Sequence, residues 1–313
     1  MNRRQLGRTG LQVSEISFGA WQLGNNQSWG EMDDLTANKL VAAAIDSGIN
    51  LFDTAPNYAS GRSEELLGIA LQGKRDHVVL VSKFGHHTNG ELDFSAAAFR
   101  HSLISSLQRL QTDYLDVVLV HNPPADIYQR DEPLWGALEQ ARREGKIKHY
   151  GASLDFAAEA EDCLMNTDSE VLEVFFNILH QDIRRAFPLV REKGVGIIAK
   201  VPLDSGWLTG RFDSESRFTG VRSRWTNEQI QQRAELVSAL SWLTDDGSSL
   251  AQKALAYLLA YDEISCVIPG IRSEEQLLDN IAATESAISE RERESLENFW
   301  SDFTCNGRVL LPW

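Results

Sequence analysis

The chain repeats one pattern eight times: a short apolar segment, often closed by a polar residue, and then a segment with helical periodicity. The apolar segments lie at residues 14–19, 49–53, 78–83, 115–121, 148–153, 171–177, 195–201 and 264–269. Near-continuous apolar runs of this length are typical of strands that are buried on both faces of a parallel sheet. Their alternation with helices predicts an α/β fold.

Eight strand–helix units in 313 residues favour a closed (β/α)8 (TIM) barrel, which typically takes ~250 residues plus insertions. A doubly wound open sheet is the alternative. It would place a G-x-G-x-x-G turn after the first strand, and the sequence Gly19-Ala20-Trp21 does not match that pattern. We therefore expect one domain over residues 1–313: the barrel, an N-terminal β-hairpin that turns at Gly10, and extra C-terminal helices.

Helix signals accompany these strands. Helices are predicted over 34–47, 94–110, 134–143, 156–165, 182–193, 248–261 and 289–303, and others begin near 63, 227 and 273. Ser63 precedes two glutamates and an apolar run, which predicts that it caps its helix.

Composition excludes several classes of protein. The net charge of −15 argues against nucleic acid or an anionic membrane surface as the main partner. Cys163, Cys266 and Cys305 are far apart and form no C-x-x-C pair, so neither a disulfide framework nor a zinc site is predicted. No apolar run approaches ~18 residues, and the N-terminus lacks the apolar core of a signal peptide. We expect a cytoplasmic protein without a metal.

Reactive side chains end three consecutive predicted strands. Asp53 ends the second strand, with Tyr58 in the loop beyond it; Lys83 ends the third and His121 the fourth. The carboxyl ends of parallel strands meet at one mouth of a barrel. A lone Asp or Lys at a strand end is usually a solvated terminus, but these four residue types together fit one reaction.

That reaction is the reduction of a carbonyl group by hydride, which requires a proton on the carbonyl oxygen. Tyr58 can donate it, although the unperturbed pKa of tyrosine is about 10. We predict that the Lys83 ammonium lowers the Tyr58 pKa and that Asp53 keeps Lys83 charged and oriented. His121, as a neutral donor, would hydrogen-bond the carbonyl oxygen.

Other segments suit a cofactor. Ser153 ends the fifth strand and can hydrogen-bond a carboxamide. The loop 202–210, PLDSGWLTG, offers backbone N–H groups and two glycines where a pyrophosphate can approach closely. After the eighth strand, Arg272 precedes a predicted helix start at Ser273, with Gln276 at capping-box spacing. A helix N-terminus beside an arginine is suited to an anion.

Six segments, in order, carry a resemblance to a known family: LGRTGLQVSEISFGAW, NLFDTAPNYASGRSEELLG, VVLVSKFG, LDVVLVH, GKIKHYGAS and IPGIRSEEQLLDN. Through them the chain resembles the aldo-keto reductase superfamily nearly end to end, in its bacterial-type, potassium-channel β-subunit-like branch. The resemblance implies a monomeric or oligomeric (β/α)8 barrel with NADPH, or alternatively NADH, extended across its mouth. It implies reduction of an aldehyde, ketone or sugar carbonyl, with Asp53, Tyr58, Lys83 and His121 catalytic and Tyr58 the general acid.

The resemblance also implies binding residues. Those for the cofactor are Gly19, Ala20, Trp21, Asp53, Ser153, Glu173, Lys200, Pro202, Leu203, Ser205, Gly206, Leu208, Gly210, Gly270, Arg272, Ser273, Gln276 and Asn280. Those for a small-molecule carbonyl substrate are Trp21, Tyr58, His121 and Trp225. Substrate specificity is expected in loops that carry Trp29 and Trp207, and in the C-terminal stretch through Trp300 and Trp313.

Four residues depart from the family pattern. Lys200 stands where many members stack an aromatic ring on the nicotinamide, Glu173 where many have Gln, Leu154 where Asn is frequent, and Gly270 where some have a phosphate-binding Lys. The choice between NADPH and NADH is therefore open. Lys200 further leads to the hypothesis that the substrate is anionic.

Two other functions compete with a reductase. The first is a regulatory subunit that keeps the barrel and the cofactor but mainly binds a partner, as potassium-channel β-subunits of this superfamily do. The second is a metal-dependent barrel hydrolase or isomerase that uses Asp53 and His121. It ranks last, because the H-x-H and E-x-x-H spacings of metal ligands do not occur.

Overall fold

The computed structural model describes residues 1–130 and 132–312. It begins with a β-hairpin in which β1 (Arg3–Gln5) and β2 (Gln12–Ser14) pair antiparallel. Gly10 in the connection has φ +79°, a left-handed conformation that glycine adopts without strain. The predicted hairpin and its turn residue are therefore confirmed.

A sheet of eight parallel strands forms the centre of the fold. In chain order, which is also their order in the sheet, the strands are β3 (Phe18–Gly19), β4 (Leu51–Asp53), β5 (Val79–Phe84), β6 (Leu115–His121), β7 (Ile147–Leu154), β8 (Val171–Phe175), β9 (Gly196–Lys200) and β10 (Ile264–Val267). Parallel bridges from Ile16 to Val267 and from Gly19 to Gly270 join the first strand to the last. The predicted (β/α)8 barrel is confirmed.

Helices follow the strands around the outside of the barrel. They are α1 (Asn26–Trp29), α2 (Asp34–Asp46), α3 (Arg62–Ala70), α4 (Ala96–Leu110), α5 (Ala125–Arg130), α6 (Glu132–Arg143), α7 (Ala157–Asn166), α8 (Phe187–Lys193), α9 (Asn227–Ser238), α10 (Leu250–Leu259), α11 (Glu274–Ala282) and α12 (Glu290–Phe303). The segment predicted as one helix over 182–193 is instead a 3-10 turn, Asp182–Ala186, that continues into α8.

The prediction that Ser63 caps α3 is wrong. The helix begins at Arg62 and its N-cap is Gly61, two residues before Ser63, with φ +94°. The Ser63 hydroxyl donates to the Ala20 carbonyl (2.8 Å) and lies 2.9 Å from the Thr54 hydroxyl. The buried hydroxyl is thus hydrogen-bonded to the loops that follow β3 and β4, and it connects α3 to both of them.

The strands divide their side chains between two apolar clusters. One set, which includes Leu51, Val81, Leu119 and Ile198, fills the barrel interior with Leu6 of the hairpin. The other packs outward against the helices. No helix within 1–130 and 132–312 is long and apolar enough to cross a membrane.

Register places the polar strand ends together. Asp53 pairs with Gly19 on one side and Val81 on the other, and Ser153 pairs with both His121 and Glu173. Since the strands are parallel, these carboxyl ends lie at one mouth of the barrel.

Candidate active site at the carboxyl-terminal mouth

The ammonium group of Lys83 lies at the centre of the site. Its Nζ donates to Asp53 Oδ1 (2.6 Å), Asp53 Oδ2 (2.7 Å) and the Thr54 carbonyl (3.3 Å). It also contacts Glu173 Oε2 at 3.1 Å and the Tyr58 hydroxyl at 3.3 Å. The side chains of Lys83, Asp53 and Glu173 are 0%, 3% and 2% exposed, so two buried carboxylates share one ammonium.

Strand register and a strained turn produce this arrangement. Asp53 pairs with Val81, and Lys83, two residues further along β5, points to the same face of the sheet. Tyr58 follows β4 in a turn whose next residues, Ala59 and Ser60, have φ of 50° and 52°. Left-handed backbone at non-glycine residues costs of order 1–3 kcal/mol each and is concentrated at functional sites.

Lys83 lowers the pKa of Tyr58, as predicted, but other effects are larger and the pKa is raised overall. Burial raises this pKa above its ordinary value, and the charges of Asp53 and Glu173 raise it further. The charge of Lys83 acts in the opposite direction but is outweighed. The main reason is burial, which disfavours the charged phenolate, so at neutral pH Tyr58 is a phenol.

The lysine itself remains charged. Burial alone would lower the pKa of Lys83, but Asp53, Glu173 and Tyr58 raise it above its usual value. Burial and the nearby charge of Glu173 raise the pKa of Asp53, against the effect of Lys83. Asp53 and Lys83 nonetheless form the shortest contact of the cluster, in agreement with the expected orienting role of Asp53.

His121 faces Tyr58 from the end of β6. The two ring centroids are 6.1 Å apart with an interplanar angle of 84°. Burial, followed by the charges of Lys83, His86 and Lys200, holds the pKa of His121 well below its usual value, so the imidazole is neutral. Its buried Nδ1 has no hydrogen-bond partner in the described part of the chain.

His86 stacks on His121 with centroids 4.4 Å apart, and sequence reasoning missed it. Burial lowers its pKa as well. One signal in the sequence could have found it. His86 lies three residues beyond Lys83, just after the end of β5, the third strand of the barrel.

Ser153, Glu173 and Lys200 form a second network beside the first. The Ser153 hydroxyl donates to Glu173 Oε1 (3.2 Å) and accepts from Lys200 Nζ (2.8 Å). Lys200 Nζ also contacts Asn122 Oδ1 and Asp155 Oδ1, both at 2.8 Å. All three N–H groups of the ammonium have acceptors, so this geometry gives no support to the hypothesis that Lys200 attracts an anionic substrate.

A cavity of about 560 Å³ extends from this cluster across the mouth. Fifteen of the predicted residues line it: Gly19, Trp21, Asp53, Tyr58, His121, Glu173, Lys200, Pro202, Leu203, Ser205, Gly206, Gly270, Arg272, Gln276 and Asn280. The predicted residues that lie outside its wall are Lys83, Ala20, Ser153, Leu208, Gly210, Ser273 and Trp225. Lining residues that sequence reasoning did not select include Gln22, Asn57, His86, Asn122 and Asp155.

Aromatic residues form one wall of the cavity. The ring of Trp21 lies 6.0 Å from that of Tyr58 and 5.1 Å from that of Trp29. Trp207 and Trp225, which were expected to contact ligands, are 0% and 6% exposed and pack on each other at 5.9 Å in the core below the loop. Both tryptophans therefore contribute to the apolar core and do not line the cavity. Trp300 is also mostly buried, and Trp313 lies outside the described residues.

The loop 202–210 has unusual backbone geometry. Asp204, Ser205 and Gly206 have φ of 45°, 53° and 101°. A Cβ on Gly206 would lie 3.0 Å from the Phe212 ring, so the position needs glycine for space as well as for conformation. Consecutive left-handed residues turn backbone N–H groups toward one side, an arrangement that binds anions.

The helix start after β10 differs slightly from the prediction. Ser273 caps α11 by accepting from Gln276 N at 3.2 Å. The Gln276 side chain accepts from Arg272 N (2.9 Å) rather than from Ser273 N, so the capping box is shifted by one residue. Two buried polar atoms here, Arg272 Nε and Asn280 Nδ2, have no hydrogen-bond partner within 1–130 and 132–312.

The geometry defines a parallel (β/α)8 barrel with an acid–base cluster at its carboxyl-terminal mouth. A family model described as Aldo/keto reductase family matches residues 15–301, and the chain therefore belongs to the aldo/keto reductase family. The resemblance stated from the sequence is confirmed.

Individual relatives agree with this. The chain is 32% identical over 292 residues to L-galactose dehydrogenase of Arabidopsis thaliana (90% of this chain, 87% of that protein). It is 30% identical over 304 residues to a probable voltage-gated potassium channel subunit beta of Oryza sativa subsp. japonica (90% and 91%). The solved structure of aldo-keto reductase AKR11C1 from Bacillus halodurans, holo form, matches with TM-score 0.81 and 28% identity, covering 96% of each chain.

Proposed function

We propose that the protein is an NADP(H)-dependent oxidoreductase that reduces an aldehyde, ketone or sugar carbonyl to an alcohol, with Tyr58 as general acid. The observation that carries the proposal is the contact of the Tyr58 hydroxyl with Lys83 Nζ at 3.3 Å, in a cavity that also exposes His121. The similarity to an L-galactose dehydrogenase favours a sugar carbonyl within this class.

The residues present fit a nicotinamide dinucleotide. The cavity is lined both by the acid–base cluster and by residues at the start of α11 and along it. Two of these, Arg272 and Asn280, have buried donors, Nε and Nδ2, without partners among the described residues. Arg272 and Asn280 would hold a phosphate-bearing adenosine group, and the backbone of the loop 202–210 would hold the pyrophosphate.

The reaction then depends on the residues of the cluster. The bound reduced dinucleotide supplies a hydride. Tyr58 donates its hydroxyl proton to the carbonyl oxygen, and the resulting phenolate lies against the Lys83 ammonium, which stabilises it. Neutral His121 donates a hydrogen bond to the same oxygen, and Asp53 holds Lys83 in place.

The test is oxidation of NADPH and of NADH by the purified protein against a panel of aldehydes, ketones and aldoses. We expect turnover on at least one class, with NADPH preferred because Arg272 lines the cavity and its Nε, which has no partner among the described residues, would donate to a 2′-phosphate. Binding of neither dinucleotide in a titration would overturn the proposal. A chelator should not affect the rate, which separates the reductase from a metal-dependent hydrolase.

A second candidate is a cofactor-binding interaction subunit with little turnover, which the similarity to a potassium channel subunit beta favours. It predicts a stoichiometric complex from native lysate together with negligible activity on the whole panel.

Under the main proposal the partner of the protein is instead a small-molecule carbonyl substrate. The protein binds neither nucleic acid nor a membrane. The main proposal places the protein in the cytoplasm, which cell fractionation tests.

A further inference from the structure

The contact between Glu173 and Lys83 joins strands that are not neighbours in the sheet. β5 and β8 are separated by β6 and β7, yet Glu173 Oε2 reaches Lys83 Nζ at 3.1 Å across the barrel. Asp53 occupies the other side of the same ammonium at 2.6 Å. One ammonium balances one carboxylate. When both carboxylates are ionised, one negative charge is left over in a site almost closed to solvent.

The surrounding groups do not cancel this charge. Lys200, the nearest other cation of the network, is paired with Asp155 at 2.8 Å. Burial lowers the pKa of His121 and of His86, so both rings are neutral at neutral pH. The remaining groups that face Glu173 stay uncharged there as well, since burial raises the pKa of the Tyr58 phenol and raises that of the Cys266 thiol to about 12.

The charge lies next to the reacting groups. Tyr58 and Glu173 both contact Lys83 Nζ, at 3.3 and 3.1 Å. A carbonyl oxygen that receives a proton from Tyr58, and the ring that gives hydride to that carbonyl, must therefore lie close to this cluster. Glu173 also lines the cavity directly.

We propose that Glu173 makes this site prefer the oxidised nicotinamide dinucleotide over the reduced one, so that the protein is poised for alcohol oxidation as well as carbonyl reduction. The inference rests on the proposed function. The oxidised ring carries a positive charge and the reduced ring does not, so only the oxidised form is attracted by the buried carboxylate. One charge within about 10 Å at an effective dielectric of about 20 changes an affinity ratio by about tenfold or more.

The preference depends on pH with a definite sign. Burial and the charge of Glu173 raise the pKa of Asp53. Below that pKa Asp53 is protonated, Glu173 balances Lys83, and the excess charge is absent. Above it the excess charge is present, so affinity for the oxidised dinucleotide rises with pH while that for the reduced one does not. The charges of these neighbours do not change near neutral pH, because the pKa values of Lys83 and Tyr58 are raised and those of His121 and His86 are lowered.

The experiment measures dissociation constants of NADP⁺ and NADPH by calorimetry at several pH values from about 7 to 9. In the wild type the ratio should favour NADP⁺, and any change with pH should be toward a stronger preference at higher pH. Glu173→Gln should lower the preference by about tenfold or more. Glu173→Asp, which keeps the charge, should restore much of it.

Glu64→Gln is the matched control. Glu64 is as buried as Glu173, but its carboxylate pairs with Arg109 (2.7 Å) and accepts from Ser82 (2.6 Å), outside the cavity wall. We expect the ratio of NADP⁺ to NADPH affinity in Glu64→Gln to equal that of the wild type. A ratio of NADP⁺ to NADPH affinity that is unchanged in Glu173→Gln overturns this inference and leaves the proposed function intact. A wild type that binds neither dinucleotide overturns the proposed function instead.

Discussion

The buried guanidinium of Arg233 lies 3.1 Å from Asp204 Oδ2, and both side chains are fully buried. Asp204 belongs to the loop 202–210, where its backbone is left-handed, and Arg233 belongs to α9. Arg233 also donates to the carbonyl of Pro312. One side chain thus connects the proposed pyrophosphate loop to α9 and to the end of the described chain.

Replacement of Arg233 by Met should destabilise the protein by about 3–5 kcal/mol, because it leaves the Asp204 carboxylate buried and unpaired. The loop should also lose its fixed conformation, so we expect weaker dinucleotide binding. Urea unfolding and a binding titration measure the two effects. Arg217→Met is the control, since Arg217 follows the same loop but is 68% exposed; equal effects of the two substitutions would contradict the prediction.

Tyr58→Phe should reduce turnover by about 10² to 10⁴, the usual contribution of a positioned general acid. It removes the hydroxyl that contacts Lys83 but keeps the ring that packs near Trp21. Dinucleotide affinity should therefore stay close to the wild-type value. Steady-state rates measure the loss of turnover, and a fluorescence titration measures the dinucleotide affinity. A fully active variant would exclude Tyr58 as the general acid.

Lys83→Met should cost more stability than Asp53→Asn. Removal of Lys83 leaves two carboxylates, Asp53 and Glu173, buried without a counter-charge, and such losses are typically about 3–5 kcal/mol. Asp53→Asn leaves Lys83 paired with Glu173, so we expect a smaller loss. Urea unfolding of both variants tests the order. The reverse order would show that Glu173 does not share the ammonium in solution.

Acid should destabilise the protein through His180. Burial lowers the pKa of His180 to about 4, although Asp204, 3.6 Å away, acts against the shift. The unfolded chain, with a pKa of about 6.5, binds a proton that the folded state refuses, so stability falls as pH drops from about 6.5 toward 4. The maximum contribution is about 3 kcal/mol at 1.36 kcal/mol per pKa unit.

His180→Gln should flatten this pH dependence in urea unfolding between about pH 4.5 and 7. His77→Gln, at an exposed position, should leave it as in the wild type. A slope that is the same in all three proteins would assign the acid sensitivity to other groups, among which His121 and His86 also have lowered pKa values.

Much of the architecture could be predicted because it depends on local patterns. Apolar runs predict strands, and the eight predicted segments overlap the eight barrel strands. Once the strands are known to be parallel, Asp53, Lys83 and His121 must lie at one mouth, since Asp53 and His121 end their strands and Lys83 is the last residue but one of β5. Sequence patterns failed where a side chain had hydrogen-bond partners that are distant in the sequence. Ser63 is the example, because its hydroxyl joins two loops.

The charges at the site were beyond the reach of sequence patterns. The pKa of Tyr58 depends on Glu173, which is 115 residues away and touches Lys83 only because the barrel closes. Trp225 looked like a ligand contact but is buried against Trp207. The amino-acid sequence by itself determined the order of strands and helices and which reactive groups end the strands, because backbone propensity and apolar periodicity are local. Only the tertiary structure decided which buried charges share Lys83, because Coulomb energy and desolvation depend on distances across the barrel.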